Sequence, residues 1–596
     1  MGYVGNIAES KWHIMPKLNV EAAVVMKYVS ANLKENIDYI SKCFERCADV
    51  VQKQIFINQG QYPIYVVYMD SMIDSDLVEN NILKTLVFCF EKNQVCPKVN
   101  TKGGTEKEIE AEEIFNSQGE EYSNKSEINV NENWINRNKW LYKEKKDGVK
   151  DNNSQSNHRN VYCRNNKAEK QENLLSYIEQ HAMLTANVSM VSEFDSIITD
   201  IMAGKTAIFG AACDKALMID GKGYPKRGVD EAQAEVSVRG AKDSFNESLR
   251  TNTILIRRRI RDTKLKTEQI KIGRRTQTDI AIMYMDDLVR PEILEEILKE
   301  LKSFEVDGMF DSGSLEQYMG RRWYSPFPIF QATQRPDKAS SALLEGRVVL
   351  IVDNSPTVIM APATLNCFFQ ASDDYYYRWG IASFTRCLRY VAALIAIGFP
   401  GFYVAVATFH PEIFPTSLLL TVAASRRGVP FPLVVEIILM ELAFELLREA
   451  GIRLPGPMGS ALSIVGGLIV GQAAVDANIV SPVVVIVVAL TALASFAIPN
   501  DNFASAFRLL KFGLIVVGAV AGLPGFVLGL LVILTHLASL ESYGIPYLSP
   551  YALSSVEPAE EFKDSILRLP LFMMRRRPVF TRAGARIRYK ERSEKK

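Results

Sequence analysis

The sequence has 596 residues, of which 48% are hydrophobic and 23% are charged, and its 69 basic and 68 acidic residues give a net charge of +1. This balance excludes the concentrated positive charge of nucleic-acid-binding proteins, and the composition excludes a collagen-like or wholly disordered chain. The averages conceal two unlike parts, because charged residues are frequent up to about residue 389, whereas residues 390–540 contain long uncharged stretches.

The first part alternates between strand-like and helix-like segments, as is typical of an α/β arrangement. Strands are predicted at residues 64–69, 206–209, 216–219 and 280–285, and helices at 76–90, 236–261 and 291–301. Residues 92–173 are rich in Asn, Lys, Glu and Ser and have few aliphatic side chains. We expect them to form a flexible insertion, because they cannot bury enough apolar surface to offset the entropy of ordering.

A loose internal repeat supports strand-helix units. Residues 67–70 (VYMD), followed by a helical pattern, resemble residues 283–286 (MYMD), which are also followed by one. Residues 348–352 and 357–360 predict a β-hairpin. The expected organisation is a first α/β subdomain, the insertion, a second α/β subdomain, a hairpin-containing linker, a helical transmembrane domain and a basic tail, at residues 1–91, 92–173, 174–324, 325–389, 390–548 and 549–596.

The uncharged stretches predict membrane-spanning helices at residues 390–409, 454–475 and 477–500, each long enough to cross a hydrocarbon core. Residues 512–540 exceed that length and are interrupted by Gly and Pro at 522–525, so they predict either one kinked span or a broken pair. Residues 416–424 are too short to cross and predict a re-entrant or interfacial segment.

Residues 429–447 are long enough to span but carry Glu436, Glu441 and Glu445. At 100° per residue, Glu441, Glu445 and Arg448 fall on one stripe of a helix. Two alternatives remain open. The helix lies in the interface with its acids in solvent, or the three acids line a pore or contact another subunit.

Charge near the spans indicates orientation. Arg378, Arg386 and Arg389 precede the first span, and residues 575–596 contain ten Lys or Arg. The positive-inside rule places both regions in the cytosol, so the number of crossings is even, from four to six. Arg426 and Arg427 lie between predicted apolar segments and do not fit a simple count of crossings by this rule.

Pairs of small residues at four-residue spacing allow helix backbones to approach closely in lipid. We expect them to pack helices within one subunit or at a contact between subunits; they are Gly467 and Gly471, Gly518 and Gly522, and Gly525 and Gly529. The basic cluster at residues 257–261 is interpreted as a solvated or salt-bridged face, with contact to acidic headgroups as the alternative.

No catalytic, metal-binding or cofactor-binding pattern is recognised. Gly204-Lys205-Thr206 resembles the end of a phosphate-binding loop, but Thr199 stands where that loop requires Gly. The five histidines are isolated from one another. We therefore expect neither an enzyme nor a cofactor.

Several motifs occur together in order between about residues 194 and 550. They include residues 252–259 (NTILIRRR), Arg335-Pro336-Asp337-Lys338, 352–356 (VDNSP), Asp373-Asp374-Tyr375 and His410-Pro411-Glu412. In these motifs the chain resembles the A subunit of the spore germination receptors of endospore-forming bacteria. One departure is Gln334, where that family usually has Glu.

The resemblance implies a subunit in the spore inner membrane that assembles with a permease-like B subunit and a lipoprotein C subunit. It further implies that the B subunit binds the nutrient and that the A subunit oligomerises into a cation channel. The leading hypothesis is accordingly a non-enzymatic signalling subunit. The alternatives are a secondary transporter of a small solute, favoured by the broken apolar segments, and a scaffold that conducts nothing.

Overall fold

The computed structural model describes residues 27–57, 62–70, 72–73, 188–211, 213–221, 223, 235, 239–320, 322–452, 458–551 and 562–589. The expected insertion at 92–173 and the expected helix at 76–90 lie outside these residues. Within the described ranges, two five-stranded sheets with helices precede a helical region with apolar helices. The predicted order of an α/β part and an all-α part is thus confirmed.

The first unit is built around an antiparallel sheet with the strand order β1-β2-β4-β5-β3. Its elements are α1 (Leu33–Cys43), β1 (Val50–Ile57), β2 (Tyr62–Met69), β3 (Val188–Val191), α2 (Phe194–Met202), β4 (Lys205–Gly210) and β5 (Ala216–Asp220). Strand β2 pairs with β4, so strands from both sides of residues 92–173 share one sheet. The structure therefore joins residues of the expected first and second subdomains in one unit.

The second unit has an antiparallel sheet with the order β6-β7-β9-β10-β8. Its elements are α3 (Leu249–Arg257), β6 (Leu265–Ile272), β7 (Thr278–Met285), α4 (Pro291–Leu301), α5 (Ser312–Met319), β8 (Gln331–Thr333), α6 (Pro336–Leu344), β9 (Val348–Val352) and β10 (Val358–Ala361). The pairing of β9 with β10 confirms the predicted hairpin.

The predicted helix at 236–261 is shortened to α3. Its start is fixed by Ser248, whose side chain accepts a hydrogen bond from the Thr251 N–H as an N-cap. Upstream, the Phe245 N–H donates to the Gln334 carbonyl. This tertiary hydrogen bond holds the preceding residues beside β8 instead of in a helix.

The two units repeat one topology. In the described residues each has a helix before a first hairpin, then a third strand, then a helix before a second hairpin, and in each the strands are ordered first, second, fourth, fifth, third; the second unit also has α4 and α5 between its first hairpin and its third strand. Met69 ends β2 and Met285 ends β7, which are equivalent strands. The loose sequence repeat thus falls at matching positions in the two sheets.

The units are joined beside β6. Thr267 of β6 donates its N–H to the Arg46 carbonyl and accepts the Ala48 N–H at its own carbonyl. The buried Arg257 donates to both carboxylate oxygens of Asp49, at 2.7 and 3.0 Å. Arg259 pairs with Asp243 at 2.6 Å, so Arg257 and Arg259 of the basic cluster are salt-bridged.

The helical region comprises α7 (Leu365–Phe369), α8 (Trp379–Phe409), α9 (Thr416–Ser425), α10 (Leu433–Ile452), α11 (Met458–Asp476), α12 (Pro482–Phe496) and α13 (Asp501–Ser539). Among the described helices, α8 and α13 are long and apolar enough to cross a membrane, while α9 and α12 are shorter apolar helices. Helix α8 begins eleven residues before the predicted span at 390–409.

Helix α13 consists of two helices that meet at Gly522, which has non-helical backbone angles (φ 63°, ψ −150°) open essentially to glycine alone. A straight helix of 39 residues would be about 58 Å long. Instead, the Phe327 ring lies 6.0 Å from that of Phe503 and 6.1 Å from that of His536, near opposite ends of α13. The second half therefore folds back on the first, as the broken-pair alternative expected.

We call the end of the helical region that contacts the α/β part the proximal end, and the opposite end the distal end. Helix α8 runs from proximal to distal, where Phe409 abuts Gly522. Glu436 near the start of α10 contacts Ser481, which caps α12, at the distal end. Arg426 pairs with Glu436, so it also lies at the distal end. Arg378, Arg386 and Arg389 lie at the opposite, proximal end, before or in the first turns of α8.

The glycines of the small-residue pairs lie at contacts within the chain. A Cβ on Gly467 would lie 3.1 Å from the Phe444 ring of α10, and one on Gly471 would lie 3.1 Å from Val485 of α12. A Cβ on Gly518 would lie 2.8 Å from the Gly401 carbonyl oxygen of α8. Gly525 and Gly529 face the first half of α13 at Val517 and Leu514.

The described C-terminal residues 562–589 pack on the second α/β unit. Phe580 is buried in its core. The Thr581 hydroxyl donates to the Glu345 carbonyl at 2.7 Å, and Arg577 donates to the Leu344 carbonyl. Gly346 (φ +83°) lets the tail approach, since a Cβ there would lie 2.9 Å from the Thr581 Cα.

The contact between α8 and α13 predicts opposite effects for two glycines on one helix. Gly518→Ala places a methyl group against the Gly401 carbonyl and should lower the free energy of unfolding by about 1–3 kcal/mol. Gly513→Ala, which has nothing within 4 Å, should raise it by up to about 1 kcal/mol through helix propensity. Thermal unfolding of the detergent-solubilised variants checks the order. A transition midpoint for G518A at or above that of G513A would contradict the close packing.

Docking of the tail should weaken as pH rises towards neutrality. Withdrawal from water raises the pKa of Glu345 from 4.5 to about 7, with Arg347 opposing and Asp564 adding to the shift. Between these pH values the docked state holds a proton that the undocked state releases, so docking is strongest below pH 4.5, declines up to about 7 and is constant above it.

Hydrogen exchange of the Arg582 amide, which donates to the Leu288 carbonyl, reports this docking. Corrected for intrinsic rates, its protection should fall between pH 5.5 and 8 in the native chain and stay constant in Glu345→Gln. Glu292→Gln, an exposed position on α4, is the matched control and should retain the native pH dependence. Equal pH profiles for E345Q and E292Q would refute the assignment.

Candidate functional site in the ionic networks of the helical region

A buried cluster of ions lies at the proximal start of α8. Asp374 is in a 3-10 turn (Ser372–Tyr375), and one of its carboxylate oxygens accepts from Arg386 and Arg389, both at 2.8 Å. Arg386 also donates to Asp564 at 2.7 Å. Arg386 and Asp374 are almost fully buried. Removing one partner from such a pair leaves an uncompensated charge, typically at a cost of about 3–5 kcal/mol.

Tyr375 contacts two arginines of this cluster. The guanidinium groups of Arg386 and Arg568 each lie 5.4 Å from the centre of its ring, within the range of cation–π attraction. Its hydroxyl donates to Asp564 at 2.9 Å. Burial, and then the negative charge of Asp564, raise the pKa of Tyr375 well above its usual value, so it remains a neutral donor.

Arg568 completes the cluster by donating to the backbone carbonyls of Asp374 and Tyr377. The Ser383 hydroxyl of α8 donates to the Arg568 carbonyl and accepts the Arg568 N–H. We call the side chains of Asp374, Tyr375, Arg386, Arg389, Asp564 and Arg568 the proximal hub. The hub joins the linker, helix α8 and the C-terminal segment.

The motif at residues 335–338 reaches the same region. Arg335 forms a two-point contact with Asp337 at 3.1 and 2.7 Å, and Pro336 occupies the first turn of α6. The Tyr376 hydroxyl donates to Asp337 at 2.7 Å. Burial alone would raise the pKa of Asp337, but hydrogen bonds from Arg335 and Tyr376 outweigh it and hold the pKa below its usual value.

The two motifs are therefore adjacent, because Tyr376 follows the hub residue Tyr375. Lys338 pairs with Glu235 at 3.3 Å on the same side. Asp373 contributes its backbone carbonyl, which accepts from the Tyr376 and Tyr377 N–H groups. Gln334, the departure from the family pattern, uses its carbonyl to accept from the N–H of Phe245.

A second network runs along the contact between α10 and the first half of α13. Glu441 pairs with Lys511, and Glu445 pairs with Arg508 at 3.2 Å. Nearer the proximal end, Arg448 pairs with Asp501 at 3.5 Å. From pair to pair, the residue number increases along α10 and decreases along α13, as expected for antiparallel helices. We call these three pairs the ionic seam.

The middle of the seam is shielded from solvent. The side chains of Glu441 and Lys511 are 1% and 6% exposed, and both lie several turns inside their helices. Glu441 Oε1 and the Nη1 atoms of Arg508 and Arg448 are buried without a hydrogen-bond partner among the described atoms. These atoms retain the capacity to bind water or an ion, so the seam is polar within an apolar surrounding.

The third predicted acid, Glu436, belongs to the distal end. It is fully buried, pairs with Arg426 at 3.2 Å and accepts the Ser481 N–H at 2.9 Å. His410 ends α8 by donating its N–H to the Val406 carbonyl, and Glu412 is exposed in the following turn. The structure thus separates Glu436, His410 and Glu412 from the seam and from the proximal hub.

Sequence reasoning found the acids of α10 but missed their partners. Asp501, Arg508 and Lys511 are spaced so that they share one face of a helix. Taken from the C-terminal end, their charges are opposite to those of Glu441, Glu445 and Arg448 in order. That complementarity was a usable signal. Asp564 and Arg568 carried no comparable signal, because their roles depend on the return of the chain to α8. Among the described residues, no cluster of His, Cys, Asp or Glu could hold a metal ion.

The family model and two of the relatives that match this chain are described as spore germination proteins. The family model described as Bacillus/Clostridium GerA spore germination protein matches residues 119–580. Spore germination protein KA of Bacillus subtilis is 43% identical over 404 residues, which cover 68% of this chain and 74% of that protein. Spore germination protein GerLA of Bacillus cereus is 37% identical over 408 residues, covering 68% and 82%.

Among solved structures, the N-terminal domain of the A subunit of the Bacillus megaterium spore germinant receptor GerK3 is similar over 57% of this chain and 97% of that one. The sequence identity is 22% and the TM-score 0.34. The family match extends over most of the chain and confirms the resemblance seen in the motifs. The chain belongs to the Bacillus/Clostridium GerA family of spore germination proteins.

Proposed function

We propose that this chain is the A subunit of a nutrient-responsive spore germination receptor, and that several copies form a gated cation channel in the spore inner membrane. It acts without enzymatic chemistry and assembles with a permease-like B subunit and a lipoprotein C subunit, of which the B subunit binds the nutrient. The observation that carries the channel proposal is the buried Glu441–Lys511 pair within otherwise apolar helices.

The topology supports six crossings. Helices α8, α10, α11 and α12 and the two halves of α13 run alternately between the proximal and distal ends. Helix α9 has ten residues, about 15 Å, and stays at the distal end. Because the chain enters and leaves at the proximal end, the number of crossings is even. The α/β part and the tail then share the cytosolic side with Arg378 and Arg389.

Charged groups inside a membrane helix face protein or water. In the arrangement described here, the seam satisfies that requirement within one chain by pairing α10 with α13. A shift between these helices would break the pairs and present their charges to a new polar surface. The seam therefore has the properties of a gate, with the paired state closed and the separated state open to ions.

The proximal hub provides a route by which the α/β part acts on the gate. It fixes the start of α8, and α8 packs along α13 at Gly401 and Gly518. A displacement of the α/β units on nutrient binding by a partner is thereby transmitted to one of the two helices of the seam.

The break at Gly522 favours a second candidate, a transporter that moves a small solute itself, since interrupted helices line the sites of many transporters. Reconstitution in sealed liposomes separates the two. The channel proposal expects cation efflux that requires the B and C subunits and a nutrient. Accumulation of the nutrient would instead favour the transporter, and no flux from an intact complex would favour a non-conducting scaffold.

In the same assay, Glu441→Gln should raise cation flux in the absence of nutrient by about tenfold or more, because a loss of only 1.4 kcal/mol from the closed state has that effect. Asp476→Asn, the same chemical change at the exposed last residue of α11, is the control and should match the native complex. The exchange Glu441→Lys with Lys511→Glu keeps the pair and should restore low basal flux. Native flux in E441Q, with normal assembly, would reject the seam as the gate.

A further inference from the structure

The C-terminal segment exposes a run of apolar side chains that none of the residues described by the structure covers. Leu571, Phe572 and Met573 form a 3-10 turn in which they are 54%, 60% and 46% exposed, and Leu567 is 54% exposed. Two buried residues hold the turn in place: Arg568, three residues before it, belongs to the proximal hub, and Met574, directly after it, is 6% exposed. The segment is therefore held firmly while its apolar side chains point outward.

The hub fixes where this apolar turn lies. Arg568 and Ser383 exchange hydrogen bonds, so the segment lies against the first turns of α8. On α8 itself, Ile381 and Phe384 beside Ser383 are also exposed. The apolar surface of the segment thus continues the outer surface of the first membrane helix.

The depth of this surface matches a membrane interface. The uncharged part of α8 begins at Tyr390, seven residues after Ser383, which is about 10 Å along a helix. Interfacial segments bury their apolar face about 5–10 Å deep at the boundary between headgroups and acyl chains. Arg575 and Arg576 follow the turn directly and are exposed, as expected beside an anionic surface.

We propose that residues 562–576 form an interfacial anchor, with Leu571, Phe572 and Met573 inserted into the cytosolic leaflet and Arg575 and Arg576 against anionic headgroups. This inference rests on the proposed membrane insertion of the helical region. The anchor ties the tail, and through Thr581 and Glu345 the second α/β unit, to the lipid surface.

The test adds one tryptophan at a time to the full chain in vesicles whose acyl chains are brominated close to the headgroups. Bromine quenches only tryptophans that lie in the bilayer. Relative to the parent chain, the added fluorescence of Phe572→Trp should fall about twofold or more, and further in vesicles containing phosphatidylglycerol than in phosphatidylcholine alone.

Two matched variants make the result decisive. Phe310→Trp is the control at an exposed position, since Phe310 is 73% exposed. It lies beside Asp311, which accepts a hydrogen bond from Ser355 in the turn between β9 and β10, and the opposite ends of these strands approach the tail. Its fluorescence should be unaffected. Leu394→Trp, exposed on α8, should be quenched if the helix lies in lipid.

Quenching at 394 but not at 572 would overturn the anchor and leave the membrane assignment standing. Loss of quenching at both positions would overturn the proposed membrane insertion as well. With Arg575→Gln and Arg576→Gln, quenching at 572 should become equal in the two lipid mixtures; a preference for phosphatidylglycerol that persists in this variant would reject the contact of these arginines with anionic headgroups.

Discussion

Arg386 is buried at the point where three separate segments of the chain meet. A guanidinium group this deeply enclosed is tolerated only when acceptors surround it, and here they come from Asp374 and Asp564, with the Tyr375 ring centre 5.4 Å away. These partners are separated by up to 190 residues. The linker, helix α8 and the C-terminal segment are consequently held together by one buried cluster.

The same reasoning explains why the helical region is ordered as it is. Charges on α10 are compatible with an apolar environment only because α13 presents the opposite charges in reverse order. Close approach of α8 to α13 then requires Gly401 and Gly518, where larger residues would separate the backbones. Ion pairs thus set which helices are neighbours, and small residues set how close they lie.

The α/β part is organised differently, because its two units have the same strand topology. The two sheets share their strand order, and their contact is secured by Arg257 against Asp49 and by the hydrogen bonds of Thr267. The second of these units leads through the linker to the proximal hub, which fixes the start of α8.

The fold class could be predicted from the sequence, since periods of hydrophobicity and uncharged stretches depend on neighbouring residues. The sequence also predicted the strands β2, β4, β5, β7, β9 and β10, the helix α4 and the positions of most apolar helices, and its ordered motifs indicated the family. It also singled out Glu441 and Glu445. What it left open was every feature that depends on residues far apart in the chain. The pairing of β2 with β4 across residues 92–173, the reversal of α13 at Gly522 and the partners of Arg386 were decided only by the tertiary structure, because local patterns specify which residues must be buried but not which distant residues will cover them.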